Sequence, residues 1–172
     1  MKNYKEILPL IKTLVFDVDG VLTDGSVLLS KGDMLRTMNS KDAYILQYAA
    51  KLGYGIFAIT GGDSMEVKLR LEKLGVKEVI LHAKNKVESF KELAQKHNLK
   101  LDELLYMGDD IPDMDLLNLA KVSVCPNDAA IDVRNIVDYV SPLKGGDGCV
   151  RDIVEQTLRV QGKWLLPEAK EW

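Results

Sequence analysis

Residues 14–25 read LVFDVDGVLTDG, an apolar run that reaches two aspartates, Asp17 and Asp19, and then Gly20. In an extended chain, side chains two residues apart point to the same side. Two carboxylates placed in this way repel each other near a core unless a cation or a proton lies between them. The stretch therefore predicts a buried strand that ends at a cation site. The alternative is a solvated aspartate-rich turn, in which Gly20 supplies a positive φ.

Length and composition restrict what the partner of these carboxylates can be. The chain has 172 residues, 47% of them hydrophobic, which predicts one domain over residues 1–172. Its formal charge of -3 argues against a nucleic-acid partner. No apolar run reaches the roughly 20 residues of a membrane helix, so we expect no membrane partner and a cytoplasmic location. Cys125 and Cys149 lack metal-binding spacing, which indicates buried, reduced thiols.

The pattern of apolar residues indicates the fold class. Short runs rich in Val and Ile, apolar on both faces, are typical of buried parallel strands, and they alternate with segments of helical periodicity. Such alternation predicts an α/β fold with a doubly wound, Rossmann-like parallel sheet. The predicted strands are residues 13–19, 54–60, 78–82, 104–109, 121–126 and 138–141, and the predicted helices are residues 41–53, 64–75, 86–98, 113–120, 128–135 and 149–160.

Local signals add detail to this pattern. Gly53 and Gly75 follow the first two helices in the manner of C-caps, and Asp63 with Glu66 predicts a capping box at the start of the second. Residues 26–39 interrupt the alternation, since they read as two short strands around a Lys-Gly-Asp turn. We expect a β-hairpin that projects after the first strand, and no inserted cap domain.

Polar residues follow three further predicted strands. Ligands in doubly wound folds bind beyond the carboxyl ends of the strands, so these residues are candidates for one site. Taken singly, the threonine could be a helix cap, the lysine a solvated charge and the acidic run a polar loop. Taken together, they suit a phosphate group and a divalent metal. The candidates are Thr60, Gly61, Gly62, Asn85, Lys86, Asp109, Asp110 and Asp113.

These residue types can support phosphoryl transfer. Asp17, Asp109 and a backbone carbonyl form the hard, all-oxygen ligand set that Mg²⁺ prefers. A phosphoryl group held between Mg²⁺, Lys86 and Thr60 would have its developing charge neutralised. One carboxylate of the Asp17 and Asp19 pair could then attack phosphorus, while the other serves as general acid and base.

The order of these motifs resembles a known superfamily. An apolar strand with Asp-x-Asp-Gly, then Thr, then Lys, then Gly-Asp-Asp-x-x-Asp is similar to the four motifs of the haloacid dehalogenase superfamily of phosphotransferases. The resemblance implies that Asp17 is the nucleophile. It also implies that Asp19 is the acid/base and that the main-chain carbonyl of Asp19 contacts Mg²⁺.

The same resemblance implies roles for the later motifs. Thr60 and Lys86 occupy the phosphate-binding positions, and Asp109 occupies the position of a metal ligand. Asp113 would orient Lys86. With Gly61, Gly62 and Asn85, these residues make up the rest of the expected site.

A closer resemblance covers nearly the whole chain. The segments FDVDGVLTDG, MNSKDAY, ITGG, YMGDDIPD and GGDGCVRD, with the hairpin, are similar to the 3-deoxy-D-manno-octulosonate 8-phosphate phosphatases. These are capless enzymes of lipopolysaccharide precursor synthesis, typically homotetramers, so the resemblance implies neighbouring chains that cover each site. Gly62 stands where those enzymes often have Arg, and Lys41-Asp42-Ala43 where they often read Arg-Asp-Gly. The alternatives are a nine-carbon keto-sugar acid 9-phosphate or another small phosphate as substrate, and a non-catalytic scaffold subunit, against which the intact motifs argue.

Two arginines and the C-terminal tail have open roles. Arg70 is either a solvated charge or, because it matches an arginine of the family, a ligand for a substrate carboxylate. The role of Arg151 is open in the same way. The apolar tail, residues 162–172, is expected either to dock on a neighbouring chain or to be disordered.

Overall fold

The centre of the fold is a parallel sheet, seen in a computed structural model that describes residues 3–30 and 33–170. The first strand, β1 (Thr13–Phe16), is followed by two short antiparallel strands, β2 (Leu28–Ser30) and β3 (Asp33–Leu35), which form a separate hairpin. The remaining strands of the large sheet are β4 (Gly55–Ile59), β5 (Glu78–Ile80), β6 (Leu104–Met107), β7 (Val122–Cys125) and β8 (Tyr139–Val140).

Helices cover both faces of this sheet. Leu14 and Phe16 of β1 pack into one core cluster and Val15 packs into the other, as expected for side chains that alternate along a strand. The first cluster includes residues from the second, third and seventh helices, and the second cluster includes residues from the fourth, fifth and sixth. The α-helices are α1 (Tyr4–Ile7), α2 (Ser40–Lys51), α3 (Met65–Lys73), α4 (Lys86–His97), α5 (Met114–Leu119), α6 (Ile131–Arg134) and α7 (Cys149–Val160).

The strand order places the candidate residues at one edge. The sheet runs β5-β4-β1-β6-β7-β8, so the chain winds from β1 first to one side and then to the other. Phe16, the last residue of β1, pairs with Ala58 of β4 and with Met107 of β6. The residues that follow these three strands therefore meet beside β1, where doubly wound sheets bind ligands.

The α/β fold and the doubly wound parallel sheet are confirmed, with shorter elements than the sequence predicts. The first strand ends at Phe16 because residues 17–20 turn out of the sheet. Gly53 and Gly75 end α2 and α3 with a φ of +88° each, one residue after the C-caps Leu52 and Leu74. The predicted capping box of Asp63 and Glu66 was wrong. The N-cap of α3 is the next residue, Ser64, which accepts from the Val67 amide at 3.3 Å.

The hairpin presents apolar side chains to solvent. Leu28 is 67% exposed and Leu29 is 77% exposed, and Met34 and Leu35 of the partner strand are also exposed. Lys31 and Gly32 of the predicted turn lie outside the described residues. A two-stranded hairpin is marginally stable by itself, so this exposed apolar surface is suited to contact with other protein.

The C-terminal tail packs on its own chain as far as Lys170. The Tyr48 hydroxyl donates to the Lys163 carbonyl at 2.7 Å and accepts from the Leu166 amide at 3.1 Å. The Tyr44 hydroxyl donates to the Ala169 carbonyl. Through these contacts the described part of the tail packs on α2 of its own chain, and docking on a neighbouring chain stays a prediction. Residues 171–172 lie outside the described residues.

Arg151 belongs to this arrangement rather than to the site. Its guanidinium pairs with Glu155 at 2.9 Å and lies over the rings of Tyr44 and Trp164, at 5.5 and 5.0 Å from their centroids. Cation–π contacts of this kind hold the tail against α2 and α7. Elsewhere, Cys125 and Cys149 are buried free thiols, and the described residues include no helix long and apolar enough to cross a bilayer.

Asp42 connects α2 to the start of α7. It is 1% exposed, and its Oδ1 accepts from the Arg151 amide at 2.6 Å, while its Oδ2 has no hydrogen-bond partner among the described residues. Burial raises the pKa of Asp42 to about 6, although the backbone amides of Arg151 and Gly148 oppose the shift. A carboxylate in the first turn of a helix also interacts favourably with the helix dipole.

Stability should therefore depend on the ionisation of Asp42. An unfolded Asp titrates near pH 3.9, so between that pH and about 6 the folded state binds the extra proton. The free energy of unfolding should fall as pH rises through this window, by up to about 3 kcal/mol from this one group. We expect Asp42→Asn to remove this contribution. Urea unfolding of both proteins at pH 4 and pH 7.5 measures it, and an unchanged difference between them would contradict the assignment.

Candidate active site

Asp17 lies at the end of β1 in a buried ion pair. Its amide donates to the Met107 carbonyl at 2.9 Å, which holds it against β6, and its Oδ2 lies 3.0 Å from Lys86 Nζ. Burial raises the pKa of Asp17 to about 6, and the charge of Lys86 opposes the shift. Burial also lowers the pKa of Lys86, but the charges of Asp17 and Asp113 outweigh burial and raise it. The lysine therefore stays cationic beside Asp17.

Asp113 holds Lys86, and its two carboxylate oxygens together accept from four donors. Its Oδ1 lies 2.6 Å from Lys86 Nζ and also accepts from the Tyr106 hydroxyl, while its Oδ2 accepts from the Asp109 and Asp110 amides at 3.1 and 3.3 Å. Gly108 permits this approach, because a Cβ at that position would lie 2.4 Å from Asp113 Cγ. Asp113 is thus committed to orienting its neighbours.

Asp109 has one buried carboxylate oxygen, Oδ1, without a hydrogen-bond partner among the described residues. Burial, and then the charge of Asp17, raise the pKa of Asp109 to about 8. Gly20 makes room for this side chain, because a Cβ there would lie 2.1 Å from Asp109 Oδ2, and its φ of +86° also favours glycine.

The acidic cluster fits a hard divalent cation. Oxygen atoms of Asp17, Asp109 and Asp113 all lie within 4.8 Å of one another. Since Asp113 is saturated by four donors, the oxygens of Asp17 and Asp109 are the ones available to a metal. An orphaned carboxylate oxygen beside a second carboxylate is the environment that an oxygen-preferring cation such as Mg²⁺ stabilises.

The second and third motifs place hydrogen-bond donors near this cluster. Thr60 is 3% exposed, and its hydroxyl accepts from the Gly62 amide at 3.0 Å, which leaves the hydroxyl proton free to donate. Asn85 caps α4, accepting from the Val87 and Glu88 amides at 3.0 and 3.1 Å. Lys86 is therefore the first residue of a helix whose start is fixed.

Asp19 takes partners that differ from those of Asp17. It lies in the turn after β1, with its side chain 32% exposed, and it pairs with Arg36, whose Nε lies 2.6 Å from Oδ1. The Thr23 hydroxyl donates to the same oxygen at 3.3 Å. The side chain of Asp19 is outside the acidic cluster. The two aspartates are thus separated, one facing Lys86 and the other facing the hairpin.

A second loop holds the turn that carries Asp19. The Gly146 amide donates to the Val21 carbonyl at 2.9 Å. Gly145 lies directly against Gly20, so that a Cβ on Gly145 would be 2.0 Å from the Gly20 carbonyl oxygen. The backbone of the GGDG segment therefore packs on the backbone of the aspartate turn with no side chain between them.

A cavity opens between the hairpin and α3. Its volume is about 580 Å³, and its lining includes Met38, Ser64, Arg36 and Arg70. A smaller adjoining cavity is lined by Asp19, Thr60 and Gly62, and both cavities are lined by Arg36 and Ser64. Arg70 lies at the solvent-exposed side of the larger cavity and does not line the smaller one.

The structure brings together most of the predicted site residues and adds three that the sequence did not single out. Asp17, Lys86, Asp109 and Asp113 are in one cluster. Asp110 caps the short helical turn at Ile111, accepting from its amide at 2.8 Å. Gly61 is exposed beside Thr60. The additional residues are Thr23, Arg36 and Tyr106.

Comparison with known proteins agrees with this geometry. Residues 75–153 match the family model of a haloacid dehalogenase-like hydrolase. The 3-deoxy-D-manno-octulosonate 8-phosphate phosphatase of Escherichia coli K12 is 33% identical over 161 residues, 93% of this chain and 85% of that enzyme. The structure of the same enzyme from Yersinia pestis has a TM-score of 0.91 at 26% identity, covering 94% of this chain and 88% of that one.

A liganded structure is also similar. The Moraxella catarrhalis 3-deoxy-D-manno-octulosonate 8-phosphate phosphatase, in complex with a magnesium ion, a phosphate ion and KDO, has a TM-score of 0.90 at 27% identity and covers 95% of each chain. The fold is that of a haloacid dehalogenase-like hydrolase. Within that class, the chain belongs to the family of 3-deoxy-D-manno-octulosonate 8-phosphate phosphatases.

Proposed function

We propose that this protein is a Mg²⁺-dependent phosphatase that hydrolyses 3-deoxy-D-manno-octulosonate 8-phosphate to the free keto-sugar acid and phosphate. One observation carries the proposal: Asp17 is buried against Lys86 and beside Asp109, whose Oδ1 has no hydrogen-bond partner among the described residues, within a family of phosphatases that act on this ester. A scaffold subunit would not need this arrangement, because buried like charges destabilise a fold that does not use them.

Asp17, Asp109 and the main-chain carbonyl of Asp19 would hold the metal. When bound, Mg²⁺ neutralises the phosphoryl oxygens and the two carboxylates. Lys86 and the Thr60 hydroxyl would bind the remaining phosphoryl oxygens, and both are buried, which strengthens their electrostatic contribution. Asp113 and Asn85 position Lys86, and Asp110 fixes the loop that carries Asp109.

Asp17 and Asp19 carry out different steps of the proposed reaction. A carboxylate oxygen of Asp17 attacks phosphorus, so that an aspartyl-phosphate forms and the bond from phosphorus to the sugar oxygen breaks. Asp19 donates a proton to that sugar oxygen. It then takes a proton from the water that attacks the aspartyl-phosphate, which releases phosphate and restores Asp17.

The cavity between the hairpin and α3 would hold the sugar acid. Its volume of about 580 Å³ lies within the range usual for small-molecule sites. Arg70, at its exposed side, is our candidate for the substrate carboxylate, with Gly61 and Gly62 close to the phosphate end. Gly62 leaves more room there than a larger residue would, so a nine-carbon keto-sugar acid 9-phosphate is the alternative substrate.

Release of phosphate from a substrate panel tests the function. The panel contains 3-deoxy-D-manno-octulosonate 8-phosphate, a nine-carbon keto-sugar acid 9-phosphate, a hexose 6-phosphate and a nucleoside monophosphate, each with and without Mg²⁺. We expect kcat/KM to be greatest for the eight-carbon ester. Preference for the nine-carbon ester would support the alternative, and release from none of them would refute the phosphatase assignment.

We also propose how the protein is organised. Residues 1–172 would act as one cytoplasmic domain, in keeping with two free buried thiols, with the hairpin at residues 26–39 and the tail at residues 162–172 as its appendages. The exposed apolar side chains of the hairpin favour a homo-oligomer, a tetramer by analogy with the family, in which neighbouring chains cover each site. Such a cover would exclude bulk water and favour sugar-sized substrates.

Charged substitutions on the hairpin test the assembly. Val27→Glu and Leu29→Glu should dissociate the oligomer and lower kcat/KM by about tenfold or more, because they place charge in an apolar contact. Leu101→Glu is the matched control, since Leu101 is also an exposed leucine, 47% exposed, and precedes β6 at the opposite end of the sheet. Light scattering and steady-state kinetics measure both effects. A monomer with wild-type efficiency would contradict the shared cover.

A further inference from the structure

Arg36, which follows β3 of the hairpin, reaches into the site and makes three hydrogen bonds. Its Nε and Nη2 donate to the two carboxylate oxygens of Asp19 at 2.6 and 3.0 Å, and its Nη1 donates to the Met34 carbonyl at 3.0 Å. The guanidinium thus binds Asp19 in the bidentate, planar geometry that only arginine can make. The side chain is 6% exposed, although it lies on a hairpin that is otherwise open to solvent.

The backbone at Gly62 lies against this ion pair. A Cβ at position 62 would lie 3.3 Å from Asp19 Oδ2 and 3.4 Å from Arg36 Nη2. The first distance is tight and the second is at the lower limit of ordinary van der Waals contact, so an added methyl group would displace the pair by a few tenths of an ångström. The pair therefore lies directly against the loop that carries Thr60.

These contacts distinguish positioning from substrate binding. A guanidinium that waits for a substrate carboxylate would have free donors and access to solvent. In Arg36 all three guanidinium nitrogens already donate within the protein, and the side chain is only 6% exposed. Arg70, which shares the larger cavity, is exposed and suits substrate binding better.

We propose that Arg36 is a positioning residue for Asp19: its bidentate ion pair fixes the direction of the acid/base carboxylate and couples it to the hairpin. The inference rests on the proposed phosphatase function. Proton transfer requires the carboxylate within hydrogen-bonding distance of the reacting oxygen, so a small displacement of Asp19 lowers the rate of chemistry more than it lowers substrate binding.

A double-mutant cycle tests this role. Arg36→Met, Asp19→Asn and the double variant are compared with wild type on 3-deoxy-D-manno-octulosonate 8-phosphate and on 4-nitrophenyl phosphate. We expect Arg36→Met to lower kcat about 30-fold, with KM changed less than about threefold, since loss of general acid–base catalysis costs about 100-fold or more. In the Asp19→Asn background the same change should lower kcat less than about twofold, because the two residues act as one unit.

Further variants separate this role from loss of assembly. Arg36→Lys should give an intermediate kcat, because an ammonium makes a single contact. Gly62→Ala, which leaves the outer surface of the hairpin unchanged, should lower kcat between the Arg36→Lys and Arg36→Met values. Arg159→Met is the control, since Arg159 pairs with Glu155 on α7 away from the site, and it should retain wild-type kinetics. Light scattering checks that each variant has the wild-type mass.

Three results would overturn the inference: a raised KM with unchanged kcat, which would make Arg36 a substrate ligand; equal losses in the wild-type and Asp19→Asn backgrounds; or wild-type kcat in both Arg36→Met and Gly62→Ala. If Arg36→Met changes mass, Gly62→Ala decides between the outcomes. Failure of the proposed function would be seen separately, as absence of phosphate release by the wild-type enzyme.

Discussion

Asp17→Asn should abolish turnover, with kcat lowered by about 1000-fold or more, because an amide cannot form the aspartyl-phosphate. The variant should nevertheless fold. Burial raises the pKa of Asp17, so at neutral pH its carboxylate costs the folded state free energy that an amide does not. We therefore expect the thermal unfolding temperature of the metal-free variant to equal or exceed that of wild type. Phosphate release and thermal unfolding measure the two effects.

Asp115→Asn is the matched control for this experiment. Asp115 is exposed in the first turn of α5, near the motif but turned away from the cluster, so its variant should keep wild-type kinetics. Retention of more than about one hundredth of wild-type kcat by Asp17→Asn would exclude covalent catalysis, because that loss is no greater than general acid–base catalysis alone accounts for.

Removal of Mg²⁺ by a chelator should abolish activity, and Mg²⁺ added in excess should restore it. Ca²⁺ should compete for the same oxygens without supporting turnover, because its longer bonds and larger coordination number would displace the phosphorus from Asp17. Phosphate release in each metal measures this expectation. Full activity after dialysis against chelator would disprove the metal assignment.

Binding of the metal can also be followed without turnover. A ligand at about 100 times its Kd stabilises the folded state by about 2.7 kcal/mol, so Mg²⁺ should raise the unfolding temperature of wild type. Asp109→Asn should remove most of that increase. It should also stabilise the metal-free protein at neutral pH, since burial raises the pKa of Asp109 to about 8 and folding must then add a proton to Asp109 that an amide does not require. An undiminished response to Mg²⁺ in this variant would show that Asp109 is not a ligand.

Much of the fold could be predicted because its signals are local. The strands are apolar runs bounded by polar residues, and Gly53 and Gly75 end two helices with the φ that glycine tolerates. Short elements were less predictable: α1, of four residues, was missed, and α3 is capped by Ser64 instead of Asp63. Adjacent Asp and Ser are both good caps, and only the path of the chain into the helix decides between them.

The site was predictable to the extent that its residues follow strands. Asp17, Thr60 and Asp109 come one or two residues after strands that the sheet brings together, whereas Arg36 follows a hairpin whose direction depends on tertiary packing. Tyr106 looks like an ordinary strand residue until its hydroxyl is seen to donate to Asp113. The docking of the tail on α2 was unpredictable for the same reason, since hydroxyl-to-carbonyl contacts across more than a hundred residues leave no periodic pattern.

The contact between Gly145 and Gly20 has a consequence for how the molecule fluctuates. Segments of a native protein open and close as cooperative units, and two backbones in direct contact cannot open independently. The Gly146 amide and the Cys149 thiol both donate to the Val21 carbonyl, at 2.9 and 3.3 Å, so the turn that carries Asp19 is joined to the first turn of α7. Opening of the catalytic turn would then require α7 to detach from the core, where Ile153, Val154 and Leu158 are fully buried. We therefore expect Asp19 to open as slowly as the core to which its turn is joined, although its side chain lies at the surface.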